Sequence, residues 1–305
     1  MQRVIRKNHA DLLLTLSVLV LFVLSITHMQ AVSKSVFSAL KLCAHTIIPT
    51  LFPFLILTDL LLSTEGTEKI LNFISRPVAR LFRVSSVGGT VFLLGAFFGF
   101  PMGAKAVAHY YSEGRLSKEE GERLLLFSGN ASPFFLIGAV GGGMFSSPKA
   151  GFTLYIIQLT VSLLCGILLS LYAAPKAVYP TKSTLRKAHP SLSKTVPSAV
   201  RQSLFISGYV VFFSAILAAI RPYIRHAFLS HLLASFLEIG NACALASSGG
   251  RYALPFCAFS ACFSGLSVYF QTLDCIQDTD LKTAQYLPIK VLCGAMGFHI
   301  ALFFR

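Results

Sequence analysis

The stretch GGTVFLLGAFFGFPMGAKAVAHY, residues 88–110, is long and apolar enough to cross a membrane, yet Gly99–Phe100–Pro101–Met102–Gly103 interrupts it at the middle. Each flanking piece has about ten residues, which at 1.5 Å per residue spans about half of a 30 Å hydrocarbon core. Two half-length helices joined at a Gly/Pro break read as a re-entrant hairpin, one that dips into the bilayer and returns to the side it came from. Lipid offers no hydrogen bonds, so freed backbone at that depth must be buried in protein or line a wet cavity.

The rest of the chain agrees with a membrane setting. Of 305 residues, 54% are hydrophobic and only 12% charged, and the mean hydropathy is +0.70. A soluble domain carries about 25% charged residues. The net charge of +14 is concentrated in short polar segments, among them Arg3, Arg6 and Lys7; Lys69, Arg76, Arg80 and Arg83; and Lys176 to Arg201. That distribution follows the positive-inside rule and excludes nucleic acid as the partner. The seven cysteines are scattered through apolar runs without a CxxC pair, so they read as small core residues. Residues 1–30 read as an uncleaved signal anchor rather than a removed leader.

Around the first break the chain reads as an ordered series. A span at 12–28 is followed by a span at 44–63 kinked by Pro49 and Pro53. Residues 67–84 alternate apolar and basic positions at helical spacing, as an interfacial helix does. After the hairpin comes a span at 124–146, broken by Ser128–Gly129–Asn130–Ala131–Ser132–Pro133, and an uninterrupted span at 150–174. The second half repeats the order with a span at 203–220, an amphipathic stretch at 222–240, a broken segment at 252–272 around Ser264–Gly265–Leu266–Ser267, and a last span at 286–304. The expected fold is an all-α polytopic membrane protein, an inverted repeat with two re-entrant helical hairpins, two interfacial helices and about six full crossings, both termini in the cytoplasm. Its expected divisions are an anchor and connector at 1–43, a first repeat at 44–147, a connecting span and basic loop at 148–202, and a second repeat at 203–305.

Paired interruptions in two halves are the sequence mark of a transporter binding site. The competing reading, kinks that let helices pack closely, has support in the GxxxGxxxG of Gly95, Gly99 and Gly103. Ionisable groups inside apolar segments are costly and point to function. Here they are Lys105, just after the first break, and Lys290 in the last span, with no carboxylate in either expected hairpin. An anionic solute fits that charge. The candidate binding set is Gly99, Pro101, Gly103, Lys105, Ser128, Asn130, Ser132, Ser264, Gly265, Ser267, Gln271 and Lys290. Lys105 has a plainer role open to it, pairing with Asp59, and Glu238 reads as fixing the second surface helix. No HExxH, GxSxG or phosphate-loop sequence marks an enzyme, a metal site or a cofactor. The partners expected are a small anionic solute, the lipid bilayer and a second copy in a homo-oligomer.

GFPMGAKAVAHYYSEGRLSKEEGERLLLFSGNASPFFLIGAVGGGMF (99–145) resembles the nucleoside-recognition, or Gate, domain. More closely it resembles the sporulation integral membrane protein family of the YlbJ type, as do LEIGNACAL (237–245), SGLSVYFQTLDCIQDTD (264–280) and the span holding Lys290. The resemblance covers roughly 35–304. That family is similar in plan to concentrative nucleoside transporters, whose first hairpin carries acidic residues where this chain has GFPMGAK. The resemblance implies a carrier in the bacterial inner membrane, or the membrane around the forespore, with dipicolinate as the implied substrate and a nucleoside or nucleobase permease or a non-transporting scaffold as alternatives.

Overall fold

The structure, a computed structural model, describes residues 2–172 and 191–304, and among these it is all-helical. The basic segment 173–190 lies outside the described residues. The helices are α1 (Gln2–Thr27), α2 (Met29–Leu42), α3 (Ile48–Ser63), α4 (Glu65–Ile74), α5 (Arg76–Phe82), α6 (Ser86–Phe98), α7 (Met102–Ser112) and α8 (Lys118–Ser128). A π-helical segment, Phe134–Met144, leads to α9 (Pro148–Leu171), α10 (Leu192–Ile220), α11 (Ala227–Leu237), α12 (Ile239–Ser247), α13 (Ala253–Phe263), α14 (Gly265–Ile276) and α15 (Tyr286–Ala301). Among the described residues, three helical runs are long and apolar enough to cross a membrane, or five if each of two bent pairs counts as one span.

A π-turn, Cys43–Ile47, joins α2 to α3, so 29–63 is one helical run where a polar connector was expected before 44. It lies antiparallel along α10. Ser35 Oγ donates to the Ser214 carbonyl at 3.0 Å, Cys43 and Ile47 pack with Ile206 and Val210, and Leu55 packs with Ala199. The first expected span, α1, meets α2 at 95°. Helices α4 and α5 carry exposed apolar residues (Ile70, Phe73, Leu81) beside basic ones, and α5 meets α6 at 103°, as a surface helix meets one that enters a bilayer.

Helices α6 and α7 fold back on each other about Gly99–Pro101, as the 88–110 reading requires. Gly99 has φ +81°, open to glycine at little cost, and the Phe100–Pro101 peptide is cis. The break at 129–133 also stands as read, between α8 and the π-helical segment. The second half differs from expectation. The amphipathic stretch 222–240 is not a surface helix: α11 and α12 form a second helical hairpin with Glu238 at its tip. The expected hairpin at 252–272 is instead one through-going run, Ala253–Ile276, interrupted at Ser264 (φ +79°). Its first half pairs antiparallel with α15, Tyr252 against Phe298 and Phe263 against Gly294, while α14 goes on to pack against α7, α10 and α11. The two pieces of a hairpin would instead lie against each other, as α6 and α7 do. Hairpin and interrupted helix therefore occur twice, as α6–α7 with α8 and as α11–α12 with α13–α14.

Aromatic pairs gather at one end of the bundle, His28 with Tyr223 and Tyr252 with Phe298. Arg221, Arg225 and Arg251 lie with these aromatic pairs, but basic groups are denser at the other end. There Arg83 reaches the Ser170 carbonyl, and Asp280, between α14 and α15, takes bonds from Tyr111 and Lys118.

Candidate functional site

Each hairpin presses on the interrupted helix of its own half. Gly95 and Gly103 face each other across the first hairpin, and the Ser128 carbonyl lies between them. A Cβ on Gly95 would stand 1.8 Å from that oxygen and one on Gly103 2.5 Å, so both positions need glycine for close approach. A Cβ on Gly99 would meet Ser132 at 2.7 Å. In the second half Gly265 lies against the backbone of Leu237 and Glu238, the hairpin tip. The glycine stripe of the close-packing reading and the paired breaks of the site reading are thus one feature.

The freed backbone of the first break is satisfied by side chains from elsewhere. Gln158 of α9 accepts from the Ala131 N–H at 2.9 Å and donates to the Ala131 carbonyl at 3.0 Å. Lys290 Nζ donates to the Gly129 carbonyl at 2.7 Å. Ser162 Oγ donates to Asn130 Oδ1 at 2.5 Å, and Ser132 Oγ accepts from the Phe135 N–H at 3.2 Å. Buried backbone groups must be paired, and in a helix interrupted over four residues these are the partners. Gln158 was not among the residues singled out from the sequence. Its signal was available, as a lone amide inside the uninterrupted apolar run 150–174.

At the second hairpin the carboxylate of Glu238, 2% exposed, caps its own helix, Oε1 accepting from the Gly240 N–H at 2.8 Å and Oε2 from the Asn241 N–H at 2.7 Å. A carboxylate at a helix N-terminus satisfies orphan donors and meets the favourable end of the dipole. Asn241 in turn donates to Ser214 Oγ on α10.

Both tips and both interrupted helices border one cleft, lined by Phe100 of the first tip, Ala131, Ser132 and Phe135 of the first break, Glu238 and Ile239 of the second tip, and Val268 and Gln271 beyond the second break. Ile47, Leu51, Ile206 and Val210 close its side. Its walls are apolar with a few polar groups, the usual make-up of small-molecule sites. Of the sequence-derived candidates, Ser132 and Gln271 line the cleft. Gly99, Pro101, Gly103, Ser128, Asn130, Ser264, Gly265 and Ser267 belong to the breaks behind it, and Lys290 reaches the first of them from α15. Lys105 is engaged elsewhere, its ammonium 2.5 Å from Asp59 Oδ1 and 3.1 Å from Gln202 Oε1, which ties α7 to α3 and α10. Glu238 enters the site through a position the sequence assigned to a surface helix. Among the described residues no three His, Cys, Asp or Glu side chains gather as metal ligands.

The chain is 29% identical over 211 residues to the sporulation integral membrane protein YlbJ of Bacillus subtilis (strain 168), a match covering 62% of this chain and 52% of that protein. It thus matches about half the length of that relative. The likeness supports the YlbJ-type family that the 99–145 and 264–280 segments resemble. No family model matches the chain, and no solved structure does.

Proposed function

We propose, with the likeness to a sporulation integral membrane protein as premise, that this chain is an alternating-access carrier for a small organic anion, dipicolinate being the first candidate. The observation that carries the reading is the single cleft on which two hairpin tips and two interrupted helices converge. Interrupted backbone at membrane depth is tolerated where it is buried or faces a wet cavity, and carriers place their substrate at such paired interruptions. Here the cleft offers apolar walls for a ring and Ser132 and Gln271 for its polar groups. Lys290 stands behind the first break as a fixed positive charge.

In this proposal the runs 29–63, α8 with the π-helical segment, α9, α10, α13–α14 and α15 cross the membrane. The hairpins α6–α7 and α11–α12 re-enter from opposite faces. The basic end, with Arg76, Arg80, Arg83 and Lys118, lies in the cytoplasm by the positive-inside rule. The end of α15 then faces the other side, a revision of the expectation that both termini share the cytoplasm. The membrane is the bacterial inner membrane or the one around the forespore.

A second reading has one observation in its favour. Glu238 lines the cleft, and a carboxylate there suits a neutral solute rich in hydroxyl and N–H donors, such as a nucleoside. Counterflow of labelled dipicolinate and labelled uridine into proteoliposomes separates the readings. The expected result is dipicolinate exchange well above protein-free vesicles and none for uridine. Exchange of uridine alone establishes the second reading, and exchange of neither leaves a membrane scaffold.

A further inference from the structure

Lys290 is 2% exposed, and no carboxylate among the described residues pairs with it. Its ammonium has three donors, and the Gly129 carbonyl takes one. One helical turn earlier on α15, Tyr286 is 1% exposed and its hydroxyl has no hydrogen-bond partner. A Cβ on Gly129 would stand 3.8 Å from that hydroxyl, so Tyr286 Oη and Lys290 Nζ both border Gly129. A buried cation whose partners are one carbonyl and the face of the Tyr286 ring, 5.9 Å away, is costly, and the idle Tyr286 hydroxyl adds to that cost. One anionic acceptor placed between ammonium and hydroxyl removes both penalties together.

We propose that the first break holds a small-anion site, in which Lys290 Nζ and Tyr286 Oη grip one monovalent anionic group beside Gly129. The chemistry suits a halide or a carboxylate, so the occupant is a free halide or the carboxylate end of the transported solute. The site itself does not depend on the carrier reading; only its second occupant does.

The test uses the purified full chain in detergent, its unfolding temperature followed while chloride, bromide or formate replaces gluconate at constant ionic strength. The wild type is expected to gain about 2–4 °C in a saturable way, as ligand binding to the native state requires. Lys290→Met should lose the dependence; its baseline falls as well, because the Gly129 carbonyl loses its donor, so the reading is the anion-dependent gain and not the absolute unfolding temperature. Tyr286→Phe should keep the gain but need about tenfold more anion. The same saturable gain in Lys290→Met, or none in the wild type, overturns the proposal. Titrating dipicolinate with and without bromide then identifies the occupant. Competition assigns the site to the solute's carboxylate, and additive gains assign it to the halide. Because the readout is binding, a halide gain without counterflow of any solute leaves the site standing while the carrier reading falls.

Discussion

The two interrupted helices solve one problem in opposite ways. Between α8 and the π-helical segment the backbone leaves the helix over several residues, and long side chains from α9 and α15 replace the lost bonds, Gln158 on Ala131 and Lys290 on Gly129. Between α13 and α14 only two residues depart. Ser264 takes φ +79° and Gly265 φ +80°, while the Ser264 N–H still bonds the Ser260 carbonyl at 2.7 Å. The first break is held open by distant partners, the second by a local backbone twist. The hairpin tips differ in the same sense, the first turning on glycine and proline and the second on a carboxylate that caps its own helix. Shape repeats between the halves, but chemistry does not, and a charged or polar solute would meet two unlike walls.

The largest effect should come from removing the distant support. Gln158→Leu strands the Ala131 N–H and carbonyl in a buried place, and each such group costs about 1–3 kcal/mol. The expected loss is therefore about 2–6 kcal/mol, seen as a lower unfolding temperature in detergent and poor accumulation in the membrane. A loss below about 1 kcal/mol would mean that water already serves the break and that the contrast between the halves is false.

The second break should respond with the opposite sign. Ser264→Gly relieves a left-handed residue that costs about 1–2 kcal/mol, and glycine gives back about 0.5–1 kcal/mol in chain entropy. It also deletes a buried hydroxyl that has no partner. A net gain of about 0.5–1 kcal/mol is expected in the same thermal measurement. Destabilisation would show that the hydroxyl has a ligand, and would make the second break as dependent on outside partners as the first.

This contrast also explains what the sequence disclosed. Hydropathy with Gly/Pro punctuation located the first hairpin and the first break to within a residue or two, because GFPMG and SGNASP carry helix breakers. It misplaced the second half by one element. The tip at Leu237–Glu238–Ile239 turns without glycine or proline, through a carboxylate accepting from the Gly240 and Asn241 N–H groups, and no breaker announces it. Arg225, His231 and Glu238 then made 222–240 look like a surface helix, while SGLS, a two-residue twist, looked like a hairpin turn. The lysines were found by their cost in lipid, but their partners, Asp59 with Gln202 and the Gly129 carbonyl, are set by tertiary packing that no local pattern encodes.

The smallest effect belongs to the contact that joins the two halves at the basic end. Asp280 accepts from Tyr111 and Lys118 at 2.5 Å each, and the Lys282 N–H bonds Glu122 at 2.9 Å, so the α14–α15 loop is fastened to α7 and α8. The Lys118 ammonium first, and the Tyr111 hydroxyl second, hold the Asp280 carboxyl below its ordinary value of 3.8. A group depressed in the folded state stabilises at pH above its unfolded value and ceases to do so as pH falls through the folded one. The thermal difference between wild type and Asp280→Asn should therefore be constant from neutral pH to about pH 5 and shrink below the ordinary carboxylate range. Because the pair is exposed, added salt should also shrink it. If solute exchange rises in Asp280→Asn while stability barely moves, the fastening is a latch that the two unlike breaks work against; if exchange is unchanged, the halves are coupled through the cleft alone.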